Sequence, residues 1–261
     1  MKTNNPKVLQ RKRKEWFRFG IQILFFFLIP SVYSAAFTGI KNSVVLIGAG
    51  KPLEFSSFVF QRLAVLGLTV LAGRIFCGWA CAFGTLNDIV YKLSQEFQRK
   101  TKIKFPTISS MYMRVLRYGK YLVLAGIIAL CFFQKASFIS PNSPWTAFSV
   151  LLSLNRQALH GCFVGIIILL LLLPGMAIKE RFFCQCFCPM GAVFSILPTI
   201  SAFQLKRKKE NCPSRCGACQ KICPVDILID TENPHQGECI RCGKCAGICP
   251  KNNISSITVA N

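Results

Sequence analysis

Eight of the fifteen cysteines fall within the last fifty residues, and their spacing constrains the chain more than any other feature. One run reads Cys239-Ile-Arg-Cys242-Gly-Lys-Cys245-Ala-Gly-Ile-Cys249-Pro250, which is C-x2-C-x2-C-x3-C-P. The other reads Cys212-Pro-Ser-Arg-Cys216-Gly-Ala-Cys219-Gln-Lys-Ile-Cys223-Pro224, with one extra residue in its first gap. Four thiolates must converge on a four-iron cubane; three on a turning loop supply three corners, and the fourth comes from elsewhere in the chain. Two such runs imply crossed ligation, in which the last cysteine of each serves the other cluster. Cluster one then takes Cys212, Cys216, Cys219 and Cys249. Cluster two takes Cys239, Cys242, Cys245 and Cys223. A pair of zinc sites is the alternative, but four cysteines so close in sequence cannot all face one tetrahedral ion comfortably.

Residues 206–261 therefore read as a small α+β domain of the bacterial two-cluster ferredoxin type, binding two [4Fe–4S] clusters. Lys206–Glu210 reads as its linker, and the segments Val225–Leu228 and Ile254–Val259 as short strands or turns. Free thiols in such numbers fit a reducing compartment, where they serve as metal ligands rather than as disulfides.

The rest of the chain is apolar. Hydrophobic residues make up 52% and mean hydropathy is +0.43. Four stretches are long enough to span a bilayer, or nearly so: about Gly20 to Ile40, Phe58 to Phe76, Leu116 to Phe133 and Gly161 to Ile178. Arg117 and Lys120 stand at the start of the third, where long side chains can snorkel to the interface. The first is too long for a cleavable signal peptide, and no small-residue cleavage site stands out before Ser34-Ala35-Ala36, so it reads as a retained helix. Asp88–Lys100 mixes apolar and charged residues at helical spacing and reads as interfacial. Ala192–Leu205, broken by Pro198, reads as interfacial or spanning.

A net charge of +22 would suit nucleic acid, but here the basic residues flank apolar runs, so anionic lipid and membrane orientation account for them better. Residues 1–19 carry seven Lys and Arg and residues 92–120 carry eight, whereas 41–57 has only Lys41 and Lys51, and 134–160 only Lys135 and Arg156. The excess of cations places both termini and the middle loop in the cytoplasm and the other two loops outside. The organisation expected is a basic N-terminus (1–19), a four-helix membrane domain (20–205) and the cytoplasmic cluster domain (206–261).

A second pattern lies at the helix ends. Arg74-Ile-Phe-Cys77-Gly-Trp-Ala-Cys81-Ala-Phe-Gly84 recurs as Arg181-Phe-Phe-Cys184-Gln-Cys-Phe-Cys188-Pro-Met-Gly191. Both are R-x-F-C-x3-C-x2-G, offset by 107 residues, and each closes a pair of helices. The chain thus reads as mostly α, a two-helix unit duplicated in parallel. C-x3-C on a helix sets both thiols on one face, and two facing pairs (Cys77 and Cys81 with Cys184 and Cys188) would make a four-thiolate site for an iron–sulfur or other thiol-bound metal centre. The alternative is inert cysteines at a tight packing point, which Gly84 and Gly191 would suit. Cys186 occurs in the second copy only.

With both motifs in view, the chain resembles the NapH/MauN-type membrane ferredoxins, membrane components of quinol dehydrogenases, which share paired C-x3-C-P elements with NosR-type regulators. Ala82 stands where proline follows the second cysteine of the element; Pro189 keeps it in the second copy. The resemblance implies a multi-pass protein of the bacterial cytoplasmic membrane. It implies electron transfer between quinol or a cytoplasmic donor and a periplasmic redox system, alongside other subunits of a complex.

Other cofactors lack their signatures. The two histidines, His160 and His235, lie away from any mid-membrane position, so no haem is expected. No C-x-x-C-H and no strand-borne G-x-G-x-x-G is present. Cys131 and Cys162, with His160, could form an outer site, although isolated membrane cysteines are usually small apolar residues. Two alternative functions share these features: a redox sensor that reads oxidant through its clusters, and an electron donor for maturation of a periplasmic metalloenzyme.

Overall fold

The computed structural model describes residues 6–28, 74–106, 108–133, 135, 139, 141–153, 161–196, 205–207, 212–213, 216–227, 237–249, 251 and 253–256. The fold is mostly helical. The helices are α1 (Pro6–Leu28), α2 (Ile75–Trp79), α3 (Ala82–Thr101), α4 (Ser110–Leu116), α5 (Gly119–Phe132), α6 (Pro144–Leu152), α7 (Phe163–Ile178), α8 (Phe182–Cys186), α9 (Pro189–Ile196), α10 (Ala218–Lys221) and α11 (Lys244–Ile248). Two short strands, β1 (Leu205–Arg207) and β2 (Ile254–Ser256), pair antiparallel with Leu205 opposite Ser256.

Among the described residues one helical stretch, Met111–Phe132, is long and apolar enough to cross a membrane: 22 residues at a mean hydropathy of 1.6. Protein covers little of it; Tyr112, Val115, Leu122 and Phe132 all stand exposed. Phe163–Ile178 is apolar but shorter. Most of the first two expected spans lies outside the described residues, as does His160.

The N-terminal segment differs from expectation. Helix α1 begins at Pro6 and runs through the basic stretch without a break. Its Arg18 and Gln22 are buried, because Gln22 donates to the Gly78 carbonyl at 3.0 Å and to Asp88 at 3.1 Å. The start of the first apolar run is thus a polar seam against α3. Leu205–Arg207 is strand rather than linker. Val225 lies in a turn, with Asp226 at φ 48.

The snorkelling expected of Arg117 and Lys120 is also corrected. Lys120 is fully buried and pairs with Glu238. Arg117 donates to the Val225 carbonyl at 2.6 Å. Both cations point into the C-terminal domain, whose carboxylate and carbonyls replace the water that headgroups would have supplied.

One hydrophobic core runs through the molecule. Phe83, Trp145, Phe148 and Phe183 interlock at its centre, with the Phe83 and Phe183 rings 4.6 Å apart. Val225, Ile227 and Ile240 of the C-terminal domain belong to the same core. A smaller core of Cys219, Cys245 and Ile254 lies beyond it.

Candidate functional site

The two C-x3-C elements share helix boundaries and turn, although Arg181 is left-handed (φ 61) where Arg74 has φ −77. Helix α2 ends at Trp79 and α8 at Cys186; α3 starts at Ala82 and α9 at Pro189, all at the offset of 107. In the first copy the N–H groups of Ala80 and Cys81 both reach the Phe76 carbonyl; in the second those of Phe187 and Cys188 both reach Phe183. The second cysteine of each pair then opens the next helix. Its sulfur accepts from the glycine three residues on, Gly84 N–H to Cys81 Sγ at 3.4 Å and Gly191 N–H to Cys188 Sγ at 3.2 Å. A side-chain acceptor here satisfies one of the orphan donors of a helix start. Ala82 and Pro189 both occupy the first helical position, where proline's missing N–H and fixed φ are an advantage but not a requirement, so the turn survives the replacement.

The copies are cross-wired. Arg181 of the second copy donates to the Cys77 carbonyl at 2.5 Å and grips Asp88 of α3 through two bonds, at 2.7 and 2.6 Å. Its guanidinium fills the space where a Cβ on Gly84 would stand. Arg74 of the first copy lies in the same way against Gly191, where a Cβ would come within 2.8 Å of Nη2, and pairs with Glu238 at 2.7 Å. The glycine of each element is therefore room for the other element's arginine. Cys77, Cys81, Cys184 and Cys188 are all buried in the one core, close enough for their charges to act on one another. Among the described residues no three His, Cys, Asp or Glu side chains converge on a single metal ion.

In the C-terminal domain, Cys212, Cys216, Cys219 and Cys249 line one open cavity with Arg207, Lys251 and Asn253. Arg207 Nε donates to Cys212 Sγ at 3.3 Å, and this bond holds the thiol below its ordinary pKa. Asn253 N–H donates to Cys249 Sγ at 3.3 Å. Cys223, Cys239, Cys242 and Cys245 form a second group, each within electrostatic reach of others in the set. Burial pushes the Cys223 thiol up to about 11, and raises Cys239 and Cys245 as well. Arg241 (φ 50) and Gly243 (φ 73) turn the loop that carries three of them. The Gly243 Cβ direction is open space, so backbone conformation rather than crowding calls for glycine there. Both groups fit a cubane, which needs four thiolates spread around an object several ångström across; a bound cluster would keep them deprotonated.

The second group is fastened to the C-x3-C elements. Trp79 donates to the Arg241 carbonyl at 3.2 Å, and Gly78 lies so close to Ile240 that a Cβ would strike its carbonyl oxygen. Gln185 donates to the Pro224 carbonyl at 2.7 Å. Glu238, beside Cys239, takes both Arg74 and Lys120; Lys244 pairs with Glu180, and Lys179 with Asp226 at 2.6 Å. Sequence reading overlooked this fastening because Glu238, Trp79 and Gln185 belong to no spacing pattern. Cys131 and Cys162 are buried. Cys186 is buried, and its carbonyl lies where a Cβ on Gly119 would stand.

Comparison with known proteins agrees with this architecture. The profile of the family Fer4_5, 4Fe-4S binding domain, matches twice, over residues 57–104 and 162–208, the two segments that carry the C-x3-C elements. An uncharacterized protein of Methanocaldococcus jannaschii, MJ0750, is 32% identical over 84% of this chain and 85% of its own length. The methylamine utilization ferredoxin-type protein MauN of Methylobacillus flagellatus is 25% identical over 65% of this chain. The regulatory protein NosR of Stutzerimonas stutzeri is 28% identical over 72%. The chain belongs to the NapH/MauN-type ferredoxins, related to NosR. It spans 57% of that MauN and 24% of that NosR. No solved structure matches.

Proposed function

We propose that this ferredoxin-type protein is a membrane-bound one-electron carrier, passing electrons between quinone or quinol, or a cytoplasmic donor, and a redox partner through two [4Fe–4S] clusters. The fastening of the Cys223/Cys239/Cys242/Cys245 group onto the helical domain carries this reading. On this reading cluster two would sit against the helical domain, and cluster one in the open cavity beside the separate, smaller core. Electrons then travel in one spatial order, soluble side to cluster one to cluster two to the helical domain, or the reverse. Relatives are named as a methylamine utilization ferredoxin-type protein and a regulatory protein, and on this reading partner subunits complete the path.

Four spans in a parallel duplication support the same arrangement. The double family match and the matching turns favour duplication, and the loop charges favour cytoplasmic termini. Lys135 is exposed in the loop expected outside. A Lys135→Cys variant is expected to react with a membrane-impermeant maleimide in intact cells; labelling only after lysis would reverse the topology.

The electron-carrier reading is tested by reduction of the detergent-purified protein with a quinol or a soluble low-potential donor, followed by the bleaching of cluster absorbance. Cys242→Ser is expected to remove about four iron and four sulfide per chain while cluster one stays reducible by a soluble donor. Zinc in place of iron, with no sulfide, would refute the assignment.

A further inference from the structure

The charges of the C-terminal domain are sorted by end. Among its described residues the carboxylates are Asp226 and Glu238. Asp226 pairs with Lys179 at 2.6 Å, and Glu238 takes Arg74 and Lys120, so both are spent against the helical domain. Lys244 is matched there by Glu180. The cluster-one end carries the opposite balance. Arg207 and Lys251 line its open cavity, where Arg207 gives its Nε to Cys212. Lys221, exposed like Lys251, ends the helix α10 whose Ala218 and Cys219 line the same cavity. No described carboxylate of the domain is left to face Lys221 and Lys251.

This cavity is also where the ligands of cluster one meet solvent. Cys212, Cys216 and Cys249 are only half-buried around it, whereas Cys223, Cys239 and Cys242 are packed against the large core. Electron exchange weakens steeply with distance, so a partner of cluster one has to come up to this mouth. Lipid headgroups and an acidic protein are the two anionic surfaces that cations here could meet. Binding in a lipid interface joins cations to apolar side chains that sink into the acyl boundary. Among the described residues of this domain no large apolar side chain is exposed; those that are, such as Leu122 and Phe132, belong to the helical domain. The patch is basic and polar without apolar anchors, which suits the steering of a charged, water-soluble protein. Redox encounters of this kind bury little area and depend on such steering.

We propose that the face bearing Lys221 and Lys251 beside Arg207 is the docking surface for an acidic, water-soluble one-electron protein of the ferredoxin kind. In the donating direction the partner's iron is oxidised by one electron as cluster one is reduced by one, and no bond or proton changes hands. The inference deepens the electron-carrier reading and rests on it for the use of this surface.

Binding of an acidic [2Fe–2S] ferredoxin to the anaerobically purified, cluster-loaded full chain in detergent tests it, measured by calorimetry. Binding is expected at about 20 mM salt and is expected to weaken tenfold or more by about 0.3 M. Lys221→Glu is expected to weaken it about tenfold at low salt, whereas Lys135→Glu, the same change of charge in the loop expected outside, leaves it as it is. Hydrogen exchange of the wild-type chain in lipid nanodiscs gives a second readout that needs no variant: added ferredoxin is expected to protect the amides of α10. Ferredoxin affinity indifferent to both salt and Lys221→Glu overturns the proposal. So does protection of α10 by phosphatidylglycerol in place of phosphatidylcholine but not by ferredoxin, which would put the patch on headgroups. If Lys221→Glu fails to load iron, the salt dependence and the exchange decide. The two readings fail separately: a chain without iron and sulfide sinks the electron-carrier reading, and a loaded chain that quinol reduces but ferredoxin does not bind sinks this one.

Discussion

Asp88→Ala is expected to lower the unfolding free energy of the detergent-solubilised protein by about 3–5 kcal/mol, the usual penalty for stripping a buried charge of its partner. Asp88 takes two bonds from Arg181 and one from Gln22, and Arg18 lies 3.8 Å away. Its removal strands two buried guanidinium groups at once. Burial by itself would raise the Asp88 pKa, but the Arg181 charge and hydrogen bonds outweigh it and hold the carboxyl below its ordinary value. A depressed carboxylate stabilises the fold above its unfolded pKa of about 3.9, and that contribution drains away as pH falls through the folded value. The wild-type advantage over Asp88→Ala should therefore be full at neutral pH and shrink only below about pH 4. Urea titrations at several pH values check this. A difference that stayed constant down to pH 3 would mean the carboxylate acts by shape rather than charge.

Gly78→Ala is expected to act on electron flow more than on cluster content. An added Cβ would strike the Ile240 carbonyl oxygen, and neither backbone can yield without disturbing the Trp79–Arg241 bond beside it. Overpacking of this kind costs about 1–3 kcal/mol, enough to lift the Cys239–Cys245 loop from its seat. The ligands of both C-terminal clusters stay intact, so their iron should remain. Reduction of cluster two from the quinol side should slow by an order of magnitude or more, while reduction by a soluble donor at cluster one is unaffected. Equal slowing by both donors would show that the contact is not part of the path.

How much of this was legible beforehand follows from which interactions have a period. The cysteine runs are local patterns tied to a cofactor, so the grouping of Cys212, Cys216 and Cys219 with Cys249, and of Cys239, Cys242 and Cys245 with Cys223, could be written down from spacing alone. The repeated R-x-F-C-x3-C-x2-G element is equally visible, and its matching turns follow from the five positions the copies share. The contacts between elements were not. Arg181 meets Asp88 across 93 residues and Arg74 meets Glu238 across 164, and no local rule pairs them. Lys120 looked like a lipid-facing cation because its partner lies 118 residues away. The strand at Leu205–Arg207 overlaps the expected Lys206–Glu210 linker for the same reason: among the described residues it pairs with β2, at the far end of the chain.

The exchange of arginines between the two repeats has a consequence for biogenesis. When Asp88 leaves the ribosome, the arginine that grips it lies 93 residues further along the chain and is not yet made, and the partner of Arg74 is farther still. The first repeat can insert but cannot finish its own interior. It waits, with an acidic side chain and a glycine-lined gap open, until the second repeat arrives to close both. Neither element completes its own interior, because the arginine of each fills the space beside the other's glycine. The two C-x3-C elements are thus coupled through their exchanged arginines, and any group bound between them would have to be inserted after translation of the second one.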